Sequence, residues 1–68
     1  MHYSQTPKFA VNASRDSEEI VGYVLLSMEV LTELCSREYA KKIIAANENG
    51  LLYGLYFTKT GRLKAVFI

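Results

Sequence analysis

Residues 20–28 read IVGYVLLSM, an apolar run interrupted only by Gly22 and Ser27, with Glu18 and Glu19 before it and Glu29 after it. Whether this run is a helix or a strand decides the fold. Stepped at about 100° per residue, residues 18–36 separate into two sides. Glu18, Gly22, Glu29, Glu33 and Ser36 fall on one, and Ile20, Val24, Met28, Leu31, Leu34 and Cys35 on the other. That coherence predicts a helix. The alternative is a strand: Val21, Tyr23 and Val24 favour sheets, and Gly22 costs about 1 kcal/mol inside a helix. A strand here would pair with residues 8–12 through the turn SRDSE, giving a ββαββ chain.

The helical reading has a further consequence. Leu25 and Leu26 flank the polar side, so the middle of the helix is apolar over most of its circumference. A helix of that kind is buried on more than one side.

Upstream, KFAVN (residues 8–12) alternates, with Phe9 and Val11 on one side, and reads as a short strand. Residues 1–7 end in Pro7 and begin at a terminus, so they are expected to be poorly ordered unless docked. In ASRDSEE, Asp16 with Glu19 three residues later supplies a helix start, with Ser14 as a competing cap. Downstream of Ser36 the apolar phase changes: Tyr39, Ala40, Ile43 and Ile44 point away from Leu31, Leu34 and Cys35. Ser36 can cap a second helix, but the favourable pairs Glu33 to Arg37 and Glu38 to Lys42 favour one long helix with a kink. NENG (residues 47–50) ends it with Asn and Gly where a left-handed cap is needed.

The C-terminal third is a β-hairpin. LLYGLYF and RLKAVFI are both β-rich, and TKTG between them puts Gly61 where a short loop needs positive φ. Leu63, Ala65 and Phe67 face one way; Arg62, Lys64, Val66 and Ile68 face the other. Much of both faces is apolar, which implies a second cover or an edge partner.

The expected fold is therefore α+β in one domain over residues 1–68: a short N-terminal strand, one long or kinked helix, and a C-terminal hairpin (β-α-β-β). The helix packs on a three-stranded antiparallel sheet. The alternative arrangement is ββαββ.

At 68 residues, such a chain buries only about 60% of its unfolded surface. Small chains compensate with disulfides, a metal or association. A single cysteine, Cys35, and a single histidine, His2, rule out an intrachain disulfide and a Cys/His zinc site. Association remains, and the apolar content of 50% fits it. The longest apolar run is far short of the ~20 residues that span a bilayer, and it lacks the form of an export signal. A cytoplasmic location is expected, so the Asn12-Ala13-Ser14 triplet is not read as a glycosylation acceptor.

No catalytic set emerges. A nucleophilic Ser or Cys needs a base, usually His, and His2 lies near the terminus. Cys35 sits among apolar neighbours, where burial makes a thiol inert. Glu29 and Glu33 stand one turn apart without a third ligand, and the four glycines match no phosphate-binding spacing. No enzyme, cofactor or metal is expected.

Two binding functions fit better. The leading one is a non-enzymatic protein-interaction module, a homodimer acting as a regulator or inhibitor of another protein. Its contact residues are Leu25, Leu26, Tyr53, Tyr56, Val66 and Ile68. In format the chain resembles the very small inhibitors and regulators of phages and other mobile elements, anti-CRISPR proteins among them. The alternative is a nucleic-acid-binding regulator that uses Arg37, Lys41, Lys42, Lys59, Arg62 and Lys64, interleaved with Tyr53, Tyr56 and Phe57. A net charge of only +1 weighs against it.

Overall fold

The stretch after Asn12 turns back on itself where a helix start was expected. In the computed structural model, which describes residues 8–68, the Asn12 side-chain amide donates to the Ser17 carbonyl. The Ser17 amide donates to the Ser14 carbonyl at 3.2 Å, and the Ala13 amide to the Glu19 carbonyl at 2.8 Å. Short polar side chains of this kind offer the backbone local partners that compete with a helix. The expectation for residues 1–7, and the position of His2, lie outside the described residues.

The turn brings together β1 (Lys8–Asn12) and β2 (Ile20–Leu25), antiparallel from Lys8 opposite Leu25 to Asn12 opposite Ile20. This corrects the leading reading of residues 20–28: the run is a strand followed by a helix cap. On β2, Gly22 and Val24 share the inward face with their cross-strand partners Val11 and Phe9, and Leu26 follows them into the core. Val21, Tyr23 and Leu25 point the other way and are exposed. Both faces being apolar, the alternation that marks a half-buried strand is absent from the sequence.

Ser27 then starts α1 (Met28–Leu31), its hydroxyl accepting from the Val30 amide at 3.3 Å. After a turn, Ser36 caps α2 (Arg37–Glu48), its hydroxyl accepting from the Tyr39 amide at 3.2 Å. The single kinked helix is thus two capped helices, and Glu33 to Arg37 is not a pair along one helix. The end of α2 is as expected. Gly50 takes φ +70°, the Leu51 amide reaches the Ala46 carbonyl at 2.7 Å, and the Gly50 amide reaches that of Asn47 at 3.2 Å. These are the two bonds of a Schellman cap.

The hairpin also forms as expected: β3 (Leu52–Phe57) and β4 (Leu63–Phe67) are antiparallel, with Gly61 at φ +80°. β1 joins β3 in parallel, through Val11 with Leu55 and Asn12 with Tyr56. The result is a four-stranded mixed sheet in the order β2-β1-β3-β4, in place of a three-stranded antiparallel one. The α+β class stands, and the ββαββ arrangement describes the chain better than β-α-β-β.

The helices cover one face. Leu31, Ala40, Ile43 and Ala46 from the helical layer meet Val11, Val24, Leu52, Leu55 and Leu63 from the sheet, with Leu26 between them. α2 is about 18 Å long at 1.5 Å per residue, and four strands at about 4.8 Å span about 19 Å. This layer suffices for one face of the sheet, and the other has no covering element among the described residues.

Candidate functional site

Two surfaces bring together most of the residues singled out from the sequence. The first is the uncovered face of the sheet. Small side chains run down its centre, Ala10 on β1 and Gly54 on β3, and a Cβ added at Gly54 would meet nothing within 4 Å. β1 and β3 pair only at Val11 with Leu55 and at Asn12 with Tyr56. A groove of about 330 Å³ follows, lined by Ala10, Asn12, Tyr53, Gly54, Tyr56 and Val66, with Arg15 and Asp16 at its loop end.

Aromatic and aliphatic groups surround this groove. Tyr53 is 74% exposed, Tyr23 68% and Val21 53%. Tyr53 and Val21 share a structural cause. The β3–β4 register slips between Leu52 and Gly54, and the β1–β2 register slips between Val11 and Asn12, opposite Gly22 and Ile20. Tyr53 and Val21 are therefore the extra residues of two bulges. Bulges re-aim side chains, and these two sit on the bare face. The register slip is not visible in the residue pattern.

Of the residues expected at a protein interface, Leu25, Tyr53, Tyr56 and Val66 belong to this face. Leu26 does not: it is 6% exposed and packs in the core, because it follows Val24 on the inward side of β2. Ile68 is 76% exposed but lies at a separate corner, beside Leu51, Phe67 and the last turn of α2. Its amide donates to the Leu51 carbonyl at 2.8 Å. Tyr23 and Val21 were missed as surface residues, since both faces of β2 are apolar and nothing in the residue pattern marks which is outward.

The second surface runs along α2 and the β4 edge. Arg37, Lys41, Lys42, Lys59, Arg62 and Lys64 are all exposed. Tyr39 and Phe67 meet edge to face, with centroids 6.3 Å apart. The Lys64 ammonium lies 5.3 Å from the Tyr39 ring centroid, and that of Lys42 lies 5.7 Å from Phe67. Arg62 and Lys64 are also close enough to act on Cys35. Lys59 stands apart near the hairpin tip.

The edge of β4 is not open, contrary to the expectation of an unpaired hairpin edge. The Tyr39 hydroxyl accepts from the Ala65 amide at 2.9 Å, and the Leu63 amide donates to the Leu34 carbonyl at 3.1 Å. Two of the strand's outward amides are thereby satisfied, which blunts the edge.

Cys35 is half-buried, and its thiol donates to the Leu31 carbonyl at 3.2 Å. Burial pushes its pKa up, while Arg62 and Lys64 pull against that rise. The thiol keeps its proton at neutral pH, which disfavours nucleophilic chemistry. Among the described residues, no three His, Cys, Asp or Glu side chains are grouped to hold a metal ion. No helix among them is long and apolar enough to cross a membrane. Compared with known proteins, the chain matches no family model, no curated relative and no solved structure.

Proposed function

We propose that this chain is a non-enzymatic interaction module, a small cytoplasmic regulator or inhibitor that binds another protein through the bare face of its sheet. The observation that carries this reading is the apolar, tyrosine-rich surface around the Ala10–Gly54 groove. Tyr and other aromatics are enriched at interface centres, where they anchor in pockets and dominate the binding energy. Here Tyr53 and Tyr56 flank a trough able to accept an anchor in return. Arg15 and Asp16 supply both charges at its rim, which favours orientation of a partner over attraction to a uniformly charged one.

A photo-crosslinking residue at position 53, compared with one at position 59 on the hairpin tip, tests the reading. A protein recovered only from position 53 is then bound to the purified chain by calorimetry. Tyr53→Ala and Gly54→Val, the latter filling the trough, should each weaken binding by about tenfold or more, as expected of central contacts. Equal crosslinking from both positions, or binding indifferent to both substitutions, would refute the reading.

One observation favours a second reading. Lys64 and Lys42 lie over the Tyr39 and Phe67 rings, with Arg37 and Arg62 exposed on the same two elements or beside them, a basic edge suited to phosphates. On that reading, a salt-sensitive mobility shift of nucleic-acid probes disappears in Arg62→Glu with Lys64→Glu. The absence of any shift at low salt ends it.

A further inference from the structure

We propose that Asn49 and Gly50, at the C-terminal end of α2, form a site of spontaneous covalent modification: the Asn49 side-chain amide is lost as ammonia through a cyclic imide, and opening of the helix cap starts the reaction. The site is remote from the groove on the sheet face, so the proposal is independent of the partner reading above.

The chemistry needs only a nucleophile beside an amide, and water. The Gly50 backbone nitrogen attacks Asn49 Cγ; the Cγ–Nδ2 bond breaks, and the Gly50 amide proton leaves with the released NH2 group as ammonia. Water then adds to the imide. Opening at Cγ leaves aspartate, whereas opening at the Asn49 carbonyl carbon leaves isoaspartate, with the main chain routed through the former side chain. Glycine keeps the nitrogen accessible because it brings no Cβ to shield it, and nothing lies within 4 Å of where one would stand. Both residues are exposed to the water that the second step consumes. The other asparagines lack such a neighbour: Asn12 precedes Ala13, and Asn47 precedes Glu48.

The cap holds the pair in a geometry that does not react. Asn49 has φ −98° and ψ 6°, which turns the Gly50 nitrogen toward the Asn49 nitrogen and away from Cβ, whereas ring closure requires it to eclipse Cβ. That nitrogen also donates to the Asn47 carbonyl at 3.2 Å. Asn49 Nδ2 donates to the Ala45 carbonyl at 2.8 Å, which draws the side chain back along the helix. All three restraints go together when the last turn opens, and helix ends lie at the low end of local unfolding free energies. The cap is therefore the gate.

The products cannot rebuild the cap. A carboxylate only accepts hydrogen bonds, so aspartate cannot replace the bond to the Ala45 carbonyl. It also adds a negative charge beside Glu48 at the end of α2, where the helix dipole disfavours one. Isoaspartate lengthens the main chain just ahead of Leu51, whose amide reaches the Ala46 carbonyl at 2.7 Å and whose carbonyl takes the Ile68 amide at 2.8 Å. Either product loosens the junction of α2 with β3 and β4.

Incubation at mildly alkaline pH, natively and across a guanidinium chloride series, tests the proposal, with mass spectrometry and isoaspartyl methyltransferase labelling reading each asparagine after digestion. In the unfolded chain Asn49 should convert ahead of Asn12 and Asn47. In the native chain its conversion should be slower by about tenfold or more, and nearly independent of low denaturant, as for a local opening. Asn49→Asp, which carries one product directly, should lower the thermal midpoint by about 2 to 8 °C. An Asn49 that keeps its amide in the unfolded chain overturns the proposal, as does equal conversion in the native and unfolded chains. Native conversion that rises with denaturant as steeply as global unfolding does also overturns it, because the gate is then the whole fold and not the cap.

Discussion

Tyr39 is the residue on which the hairpin side of the molecule turns. Its ring packs edge to face on Phe67 and lies beneath the Lys64 ammonium. Its hydroxyl takes the Ala65 amide, a group that would otherwise face outward from an edge strand. Removing only the hydroxyl keeps the packing and leaves that amide without its partner. We expect Tyr39→Phe to cost about 1 to 2 kcal/mol, a lost hydrogen bond plus an incompletely satisfied donor. The check is the midpoint of urea unfolding at unchanged slope, and the variant should also scatter more light at high concentration as the β4 edge opens. Nothing in REYAKK announces this role. A tyrosine near the start of a helix reads as core, and the amide it serves is 26 residues away.

At the scale of the elements, the end of α2 and the hairpin loop were legible, whereas the apolar run, the true helix starts at Ser27 and Ser36, and the turn at residues 13–19 were not. Asn49 and Gly50 occupy the positions that a helix end requires, and Gly61 the position that a hairpin loop requires. Each is a local requirement of φ or of an unpaired amide, so it can be read from neighbours in the chain. The glycines differ accordingly. Gly50→Ala, at φ +70°, should cost about 1 kcal/mol or more because a Cβ is strained there. Gly22 lies in β2 at ordinary φ, with open space where a Cβ would go. Gly22→Ala should leave stability unchanged or raise it by up to about 1 kcal/mol, through the unfolded chain. Thermal melts of the two variants at equal concentration check the contrast. β2 itself misled because its outward residues, Val21, Tyr23 and Leu25, are as apolar as its inward ones. The helical phase it seemed to continue belongs in part to α1, which does lie at residues 28–31.

At the scale of the whole molecule, one layer of helix meets one face of a four-stranded sheet, and the core is correspondingly thin. Ile43 is fully buried at its centre. Ile43→Ala should cost about 2 to 5 kcal/mol, comparable with the whole stability a single core of this size supplies. The expected outcome is loss of a cooperative thermal transition near room temperature, followed by circular dichroism. The same thinness explains why the other face has no covering element among the described residues. Twelve helical residues in α2 and a single turn in α1 span one side of the sheet.

The sequence by itself determined the α+β class, the first strand, the end of the long helix, the hairpin, and a high apolar content for so short a chain. These follow from composition and from contacts a few residues apart. Only the tertiary structure decided that residues 20–25 are a strand, that β1 lies parallel to β3, and that Leu26 is core while Tyr23 and Val21 are surface. It also decided that two outward amides of β4 are taken by Tyr39 and Leu34, while β2 has no further strand beside it among the described residues. Those outcomes depend on which strand takes which neighbour and in which register. When both faces of a strand are apolar, that choice is made by packing and hydrogen bonding between segments far apart in the chain.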